Sequence, residues 1–292
     1  MKLFSFYKYT PIEFPERTRD HLFALFTGFS LRGKVYVASE GINVFVCGEE
    51  PSIEKLKRFV SNTPAFADAL LKEETVQNWA YRKLTVRVKQ EIVHSGVDDV
   101  DFASGGKRLK PAELLEFYNS GKEFIIVDTR NDYESKIGHF KNALLPAMRN
   151  FREWDQVSDS LLEHKDTPII TYCTGGVRCE KASAVLVQKG FKEVYQIEGG
   201  ILNFIQQYPD TVWQGGMFVF DDRKVVEPNT TPQLQYTAEC EFCGSPTAYY
   251  INCHNLDCDK IVVVCHECKT THNYCCSAEC NGAPRKRDRI YD

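Results

Sequence analysis

Tyr172-Cys173-Thr174-Gly175-Gly176-Val177-Arg178-Cys179 marks the point where an apolar, β-branched run (Pro168 to Thr171) gives way to a cysteine, two glycines and an arginine. A helix-forming run takes over at Glu180. This order predicts a strand that delivers Cys173 to a tight loop opening onto a helix N-terminus. Glycines let the backbone curl until several N–H groups face one centre, and the helix dipole adds positive potential there. Such a site stabilises a thiolate, the nucleophilic form of cysteine. The loop is built for covalent sulfur chemistry or anion binding; a cysteine that merely fills a core needs neither the paired glycines nor the arginine.

The same pattern recurs outward from the loop. Phe124-Ile125-Ile126-Val127 is a continuous apolar run, suited to a parallel strand covered on both faces, and it stops at Asp128-Thr129-Arg130. Val194-Tyr195-Gln196-Ile197 stops likewise at Glu198-Gly199-Gly200. A helical run opens at Pro111 with Leu114, Leu115 and Phe117 ahead of these strands, and helices lie between them, including Lys181 to Gln188. The expectation is an α/β domain over residues 111–212 with a parallel sheet. Its strand ends bring Asp128, Cys173 and Glu198-Gly199-Gly200 to one edge, where open α/β sheets build their sites.

Residues 96–110, polar and containing Gly105-Gly106, read as a linker, and residues 1–95 as a domain of their own. Strands are expected at Phe4–Tyr9, Val35–Ala38, Ile42–Val46 and Leu84–Val88, with Glu40-Gly41 as the tight turn between the middle two. One helix opens at Pro15; a second, Ile53 to Val60, has Ser52 as its expected cap and Ile53, Leu56, Phe59 and Val60 on one face. The order β-α-β-β-α-β predicts an α+β, ferredoxin-like (acylphosphatase-like) domain.

Residues 213–292 are cysteine-rich, with nine cysteines between Cys240 and Cys280. Cys240-x2-Cys243 and Cys265-x2-Cys268 have zinc-knuckle spacing, and Cys253-x4-Cys258 and Cys276-x3-Cys280 fit looser pairs. Four thiolates around Zn²⁺ make a closed structural site that stabilises a module with little apolar core. A cross-braced arrangement pairs Cys240/Cys243 with Cys265/Cys268 and Cys253/Cys258 with Cys276/Cys280, leaving Cys275 over. His254, His266 and His272 are alternative ligands.

Composition narrows the class. The chain of 292 residues is 43% hydrophobic and 26% charged, with net charge −4, which is ordinary for a soluble protein of two or three domains. Residues 1–95 carry fourteen Lys/Arg against eleven Asp/Glu, a local excess of +3. Strand alternation puts Arg87 and Lys89 on one face, opposite Val86 and Val88. This face is either an ordinary solvated strand face or a surface for a phosphate backbone, and among Arg82, Lys83, Arg87 and Lys89 these two are the preferred pair for RNA binding in the second case. Arg285-Lys286-Arg287-Asp288-Arg289 forms a short basic tail. No run reaches the length of a membrane span, and the first residues lack a signal-peptide core. Twelve cysteines without an export signal point to a reducing compartment, so the expected location is cytoplasmic.

Cys173 and Arg178 form C-x4-R, which resembles the active-site loop of the rhodanese family, where the cysteine carries sulfane sulfur as a persulfide. Asp128-Thr129-Arg130, Tyr133-Glu134 and Gly138-His139-Phe140 are similar to that family's D-x-R…Y-E…G-H-[FI] stretch, with His139 and the Arg130/Asp132 pair expected to serve packing. The likeness extends further. Ser39-Glu40-Gly41-Ile42-Asn43, the long loop Tyr172 to Ser183 and Phe218-Val219-Phe220-Asp221-Asp222-Arg223 resemble signatures of the tRNA uridine(34) hydroxylase family, over nearly the whole chain. One departure is Ser39, where proline is common.

That resemblance implies an oxidoreductase that hydroxylates C5 of the wobble uridine in the tRNA anticodon loop, giving 5-hydroxyuridine, with molecular oxygen as cosubstrate and no electron donor identified. It implies Cys173 as the essential thiolate or persulfide. The residues themselves add Arg178 and the loop Thr174, Gly175, Gly176 and Val177 as anion stabilisers, and Cys179 as a candidate resolving thiol. Two other functions fit the residues: a sulfurtransferase carrying a Cys173 persulfide, and a zinc-dependent RNA- or protein-binding adaptor.

Overall fold

The first unit folds as its alternation dictates. In the computed structural model, which describes residues 1–97, 101–228 and 236–288, β1 (Lys2–Tyr9), β2 (Arg32–Ala38) and β3 (Gly41–Gly48) form an antiparallel sheet with β3 in the middle. One face of the sheet, with Phe4, Phe6, Val35, Val37, Ile42, Val44 and Val46, packs on α1 (Pro15–Gly28) and α2 (Glu50–Asn62) to make the first core. The other face carries Tyr7, Tyr9, Lys34, Tyr36, Asn43 and Phe45, and this face meets the next unit.

Three expectations change here. The fourth strand of the split βαβ is β4 (Lys72–Thr75), antiparallel to β1, a short edge strand with no apolar alternation to announce it. Leu84–Val88 is instead an added strand, β5, parallel to β2 at the opposite edge, with Arg87 in register with Tyr36. The second helix starts at Glu50 with Pro51 in its first turn, so Ser52 lies inside the helix and does not cap it.

The second unit is a parallel sheet in the order β6-β10-β9-β7: β6 (Lys107–Leu109), β7 (Ile125–Asp128), β9 (Ile169–Tyr172) and β10 (Val194–Ile197). The stretch read as linker thus supplies an edge strand, and Phe102 within it stacks on Tyr9 at 4.2 Å. Helices α3 (Pro111–Asn119), α4 (Asp132–Ile137), α5 (Trp154–Asp159), α6 (Val177–Gln188) and α7 (Gly200–Gln207) cover the sheet. Helix α6 begins at Val177, ahead of the expected start, so Arg178 and Cys179 occupy its first turn. Strand β8 (Gly138–Phe140) pairs with β11 (Trp213–Gly215), which attaches the start of the third segment to this unit.

Beyond it, β12 (Met217–Phe218) and β13 (Val225–Val226) make a small hairpin, and β14 (Tyr250–Asn252) and β15 (Ile261–Val263) a second, followed by α8 (His266–Thr271) and α9 (Ala278–Gly282). Tyr250, Val263, Ala238 and Ala248 pack on Ile137 and Phe218, seating the module on the second unit. The basic tail is partly pinned: Arg285 pairs with Asp257 at 2.6 Å and Arg287 with Asp259. Arg289 lies outside the described residues. Among the described residues no helix is long and apolar enough to cross a membrane.

Asp128 is fully buried, and its partner is Arg130, also fully buried. The guanidinium donates through Nε to Asp128 Oδ1 at 2.9 Å and through Nη2 to both Asp128 Oδ2 and the Gly138 carbonyl, each at 2.6 Å. Asp132 is not part of this pair; it faces Lys136 at 3.8 Å. Removing one partner of a buried ion pair strands the other charge, which costs about 3–5 kcal/mol. Arg130→Ala is therefore expected to lower stability by about that amount, read as a shifted denaturation midpoint of the full chain; a midpoint within error of the parent contradicts this role for the pair.

Candidate active site and sulfur clusters

Strand β9 ends in Tyr172, and Cys173 follows at the entrance to the loop with no exposed surface. Gly176 takes φ 96°, which suits glycine, and donates its N–H to Cys173 Sγ at 3.1 Å. The N-terminus of α7 holds the loop from beneath: Ile201 N–H donates to the Cys173 carbonyl at 3.0 Å and Leu202 N–H to the Thr174 carbonyl at 3.1 Å. A Cβ on Gly200 would sit 2.4 Å from the Cys173 oxygen, so the expected Glu198-Gly199-Gly200 edge is there for close approach. Asp128 shares that edge but turns inward to Arg130.

Arg178 is anchored by Glu134, a residue quoted in the sequence motif but given no role from it. Nη1 and Nη2 reach the two carboxylate oxygens at 2.6 and 2.9 Å, and Nη2 lies 3.4 Å from Thr174 Oγ1. The guanidinium therefore acts on the sulfur as a fixed charge. Burial opposes a charged Cys173, but a hydrogen bond from Cys179, the Arg178 charge and the Arg178 and Gly176 amides overcome it and draw the thiol down to about 5. Cys179 is pushed the other way, by burial first and then by the neighbouring Cys173. The pair divides its roles: Cys173 holds the negative charge and Cys179 keeps the proton. His139 packs between α4 and β11, with Nδ1 2.9 Å from the Ser135 carbonyl.

The surprise is the roof. The outer face of the first sheet lies directly over this loop. Tyr7 OH donates to Glu180 at 2.7 Å, Tyr9 OH to the Val177 carbonyl at 3.2 Å and Lys72 Nζ to the Gly175 carbonyl at 2.7 Å. Burial lowers Lys72 to about 8, although the Cys173 charge works against that. Lys181 of α6 crosses the seam to Glu40, at 2.9 Å, and to Glu91. Burial opposes the charge on Glu91, yet hydrogen bonds from Lys181 and Ser95 bring its carboxyl down to about 2.

Between roof and loop lies a cavity of about 310 Å³. Cys173, Thr174, Gly175, Val177, Arg178 and Asn131 line it from below, and Lys34, Tyr36, Asn43, Phe45 and Tyr81 from above. Phe220 closes one side. Sequence reasoning missed this upper wall. Its signal was present in Asn43 and Phe220, which end or centre two of the quoted motifs and converge here on the third. Arg87 and Lys89 do not line the cavity; both are exposed on β5 and just beyond it.

The cysteine-rich module gathers eight sulfurs into two groups, Cys240/Cys243/Cys265/Cys268 and Cys253/Cys258/Cys276/Cys280, each with its ligand atoms within 4.8 Å of one another. A tetrahedral ion with bonds of about 2.3 Å to sulfur separates its ligands by about 3.8 Å. The sulfurs of Cys243 and Cys265 are 3.8 Å apart, those of Cys258 and Cys276 3.7 Å, and those of Cys276 and Cys280 3.6 Å. Both groups fit a metal ion. Cys275 stands outside them. The histidines offered as alternatives are occupied as rings instead: His254 stacks on Tyr274, His266 lies against Tyr249 and His272 stacks on Phe242.

Known proteins share each part of this architecture. Residues 1–92 match the UPF0176 acylphosphatase-like domain, residues 110–207 the rhodanese-like domain and residues 214–281 the rhodanese C-terminal domain. A rhodanese-like domain protein from Staphylococcus aureus, of solved structure, is 30% identical and covers 34% of this chain and 90% of its own, with TM-score 0.29. The tRNA uridine(34) hydroxylase of Chlamydia trachomatis serovar D is 36% identical over 291 residues, covering 97% of this chain and 87% of its own. That of Chlamydia felis is 35% identical over 287 residues, covering 97% and 88%. With that identity running through all three units, the chain belongs to the tRNA uridine(34) hydroxylase family.

Proposed function

We propose that the protein hydroxylates C5 of uridine 34 in tRNA, with Cys173 as the nucleophile. The observation that carries this reading is the two-walled cavity, in which a thiolate faces a ceiling of aromatic and amide side chains. Its volume of about 310 Å³ suits a single small ring system. A wobble base is already single-stranded, so it can be splayed into such a pocket, stacked on aromatic rings and read along its edge. Tyr36 and Phe45 offer ring faces. The amides of Asn43 and Asn131 match the alternating C=O and N–H groups of uracil.

The chemistry balances as uridine plus O₂, two electrons and two protons giving 5-hydroxyuridine and water, so a two-electron reductant is a co-reactant. The Cys173 thiolate adds to C6, which makes C5 electron-rich. C5 attacks oxygen at the peroxide level, the O–O bond breaks and the second oxygen leaves as water. Loss of the C5 proton then expels Cys173 and restores the ring double bond. Arg178, fixed by Glu134, and the loop amides hold the anionic sulfur before attack and after release.

We assign zinc to the two sulfur groups, since all-thiolate tetrahedral sites of this size and spacing suit it. Four protein ligands leave no open position, so the role is structural. Elemental analysis of protein purified without chelator should give two zinc ions per chain; a content near zero in active protein overturns the assignment. Chelation should loosen residues 236–288 and leave the two other cores intact.

Nucleoside mass analysis of tRNA from cells lacking the protein should show loss of an added oxygen at uridine 34; loss of an added sulfur instead would establish a sulfurtransferase. Cys173→Ser should drop complementation to background, by more than about 10³-fold, without altering the unfolding midpoint. Cys179→Ser retains a hydrogen-bond donor and should stay within about tenfold of the parent. Activity of the purified protein should fall as pH drops through about 5, where Cys173 becomes protonated; an acid limb near 8.5, the ordinary thiol range, contradicts the stabilised thiolate.

A further inference from the structure

Shared walls join the catalytic cavity to two other hollows. With a groove of about 900 Å³ between the first domain and the cysteine-rich module it shares Lys34, Tyr81 and Phe220. With a hollow of about 450 Å³ it shares Tyr36 and Ile92, and that hollow is further lined by Lys89, His94, Arg152 and Glu91, whose carboxylate is already paired with Lys181. The Cys173 cavity thus lies between two bordering hollows, the three together making a candidate trough with two arms.

We infer that this trough holds the RNA backbone on both sides of the nucleotide inserted in the cavity, with Arg82 and Lys83 on one flank and Lys89 and Arg152 on the other. This rests on the function proposed above. An internal nucleotide has two neighbours, so the strand must leave the cavity in two directions; a pocket with a single exit would suit only a chain end. The charge follows the same line. The larger arm has Lys34, Arg82, Lys83, Lys224 and Arg287 against Asp221 and Asp222. Asp221 is already held by Arg223 at 2.7 Å, Asp222 faces Arg82 at 3.4 Å across exposed side chains, and Arg287 pairs with Asp259. Lys83, Lys89 and Arg152 are exposed, and among the described residues no carboxylate pairs with them. Cations thus concentrate along the trough of a chain whose net charge is −4. Phe220, 47% exposed at the junction, offers a ring face on which a flanking base can stack. The preferred pair read from the sequence fits this placement in part. Lys89 lines the smaller arm, and Arg87, in register with Tyr36, lies on the same face of the sheet.

The test is binding of an anticodon stem-loop RNA to the full-length protein across a salt series. Lys83→Glu and Lys89→Glu change opposite arms, and Lys122→Glu serves as the control, since Lys122 precedes the start of β7 whereas Cys173 follows the end of the parallel neighbour β9, at the opposite end of the strands. Removing one lysine–phosphate interaction should reduce the log–log salt slope by about 0.7 and weaken low-salt affinity about tenfold. The two trough variants should each show this, the double variant should show about twice the change in slope, and Lys122→Glu should match the parent. A parent that hydroxylates tRNA, with Lys83→Glu and Lys89→Glu binding and sloping as it does, overturns the trough alone. A parent that leaves uridine 34 unmodified overturns the functional reading, and the trough with it.

Discussion

The structure depends on one contact above all: the outer face of the first sheet seated on the Cys173 loop. Tyr7, Tyr9 and Lys72 bind the loop and the first turn of α6, and Lys181 returns the contact to Glu40 and Glu91. The docking removes Cys173 from bulk solvent and leaves it only the cavity. A buried thiolate is costly, and the fixed Arg178–Glu134 pair, the loop amides and the Cys179 thiol are what make it tenable here. The same docking gives the site a second wall with a chemistry of its own, which a rhodanese loop by itself does not have.

The turn between β12 and β13 locks the arrangement from the third side. Arg223 bridges Asp221 and Glu74 of the first domain, each at 2.7 Å. The Asp222 N–H donates to the Ala80 carbonyl at 3.0 Å, and Lys34 Nζ donates to the Phe220 carbonyl at 2.9 Å. Phe218, the last residue of β12, stacks on Tyr250 of the cysteine-rich module at 4.4 Å. The sulfur clusters therefore stiffen a module whose place in the molecule is to brace the cavity and one arm of the trough.

What was legible in the sequence was local. The Cys173 loop, the buried parallel strands and the cross-braced cysteine spacing each declare themselves within a few residues. The fourth strand did not, because Lys72-Glu73-Glu74-Thr75 is charged and held by its ladder to β1, not by apolar alternation. Nor did the roof. Tyr7 and Glu180 are 173 residues apart, and a tyrosine on a strand's second face reads equally as solvated or docked. Residue type could not separate a ligating histidine from a stacked one, so His254, His266 and His272 needed the structure. Asn43 sat inside a quoted motif, but only the fold turns a buried amide in a central strand into the ceiling of a catalytic cavity.

That ceiling is the place to test whether the two domains share one active site. Asn43→Leu removes the amide while keeping the number and branching of side-chain heavy atoms, leaving Cys173, Arg178 and Glu134 as they are. Thiol reactivity of Cys173 and hydroxylation of uridine 34 should be measured on the same preparation. With a shared site, hydroxylation falls by about tenfold or more, the drop expected for a hydrogen bond to a buried base, while Cys173 keeps its reactivity toward a small alkylating agent. Hydroxylation at the parent rate would contradict it, and would return the chemistry to the rhodanese loop alone.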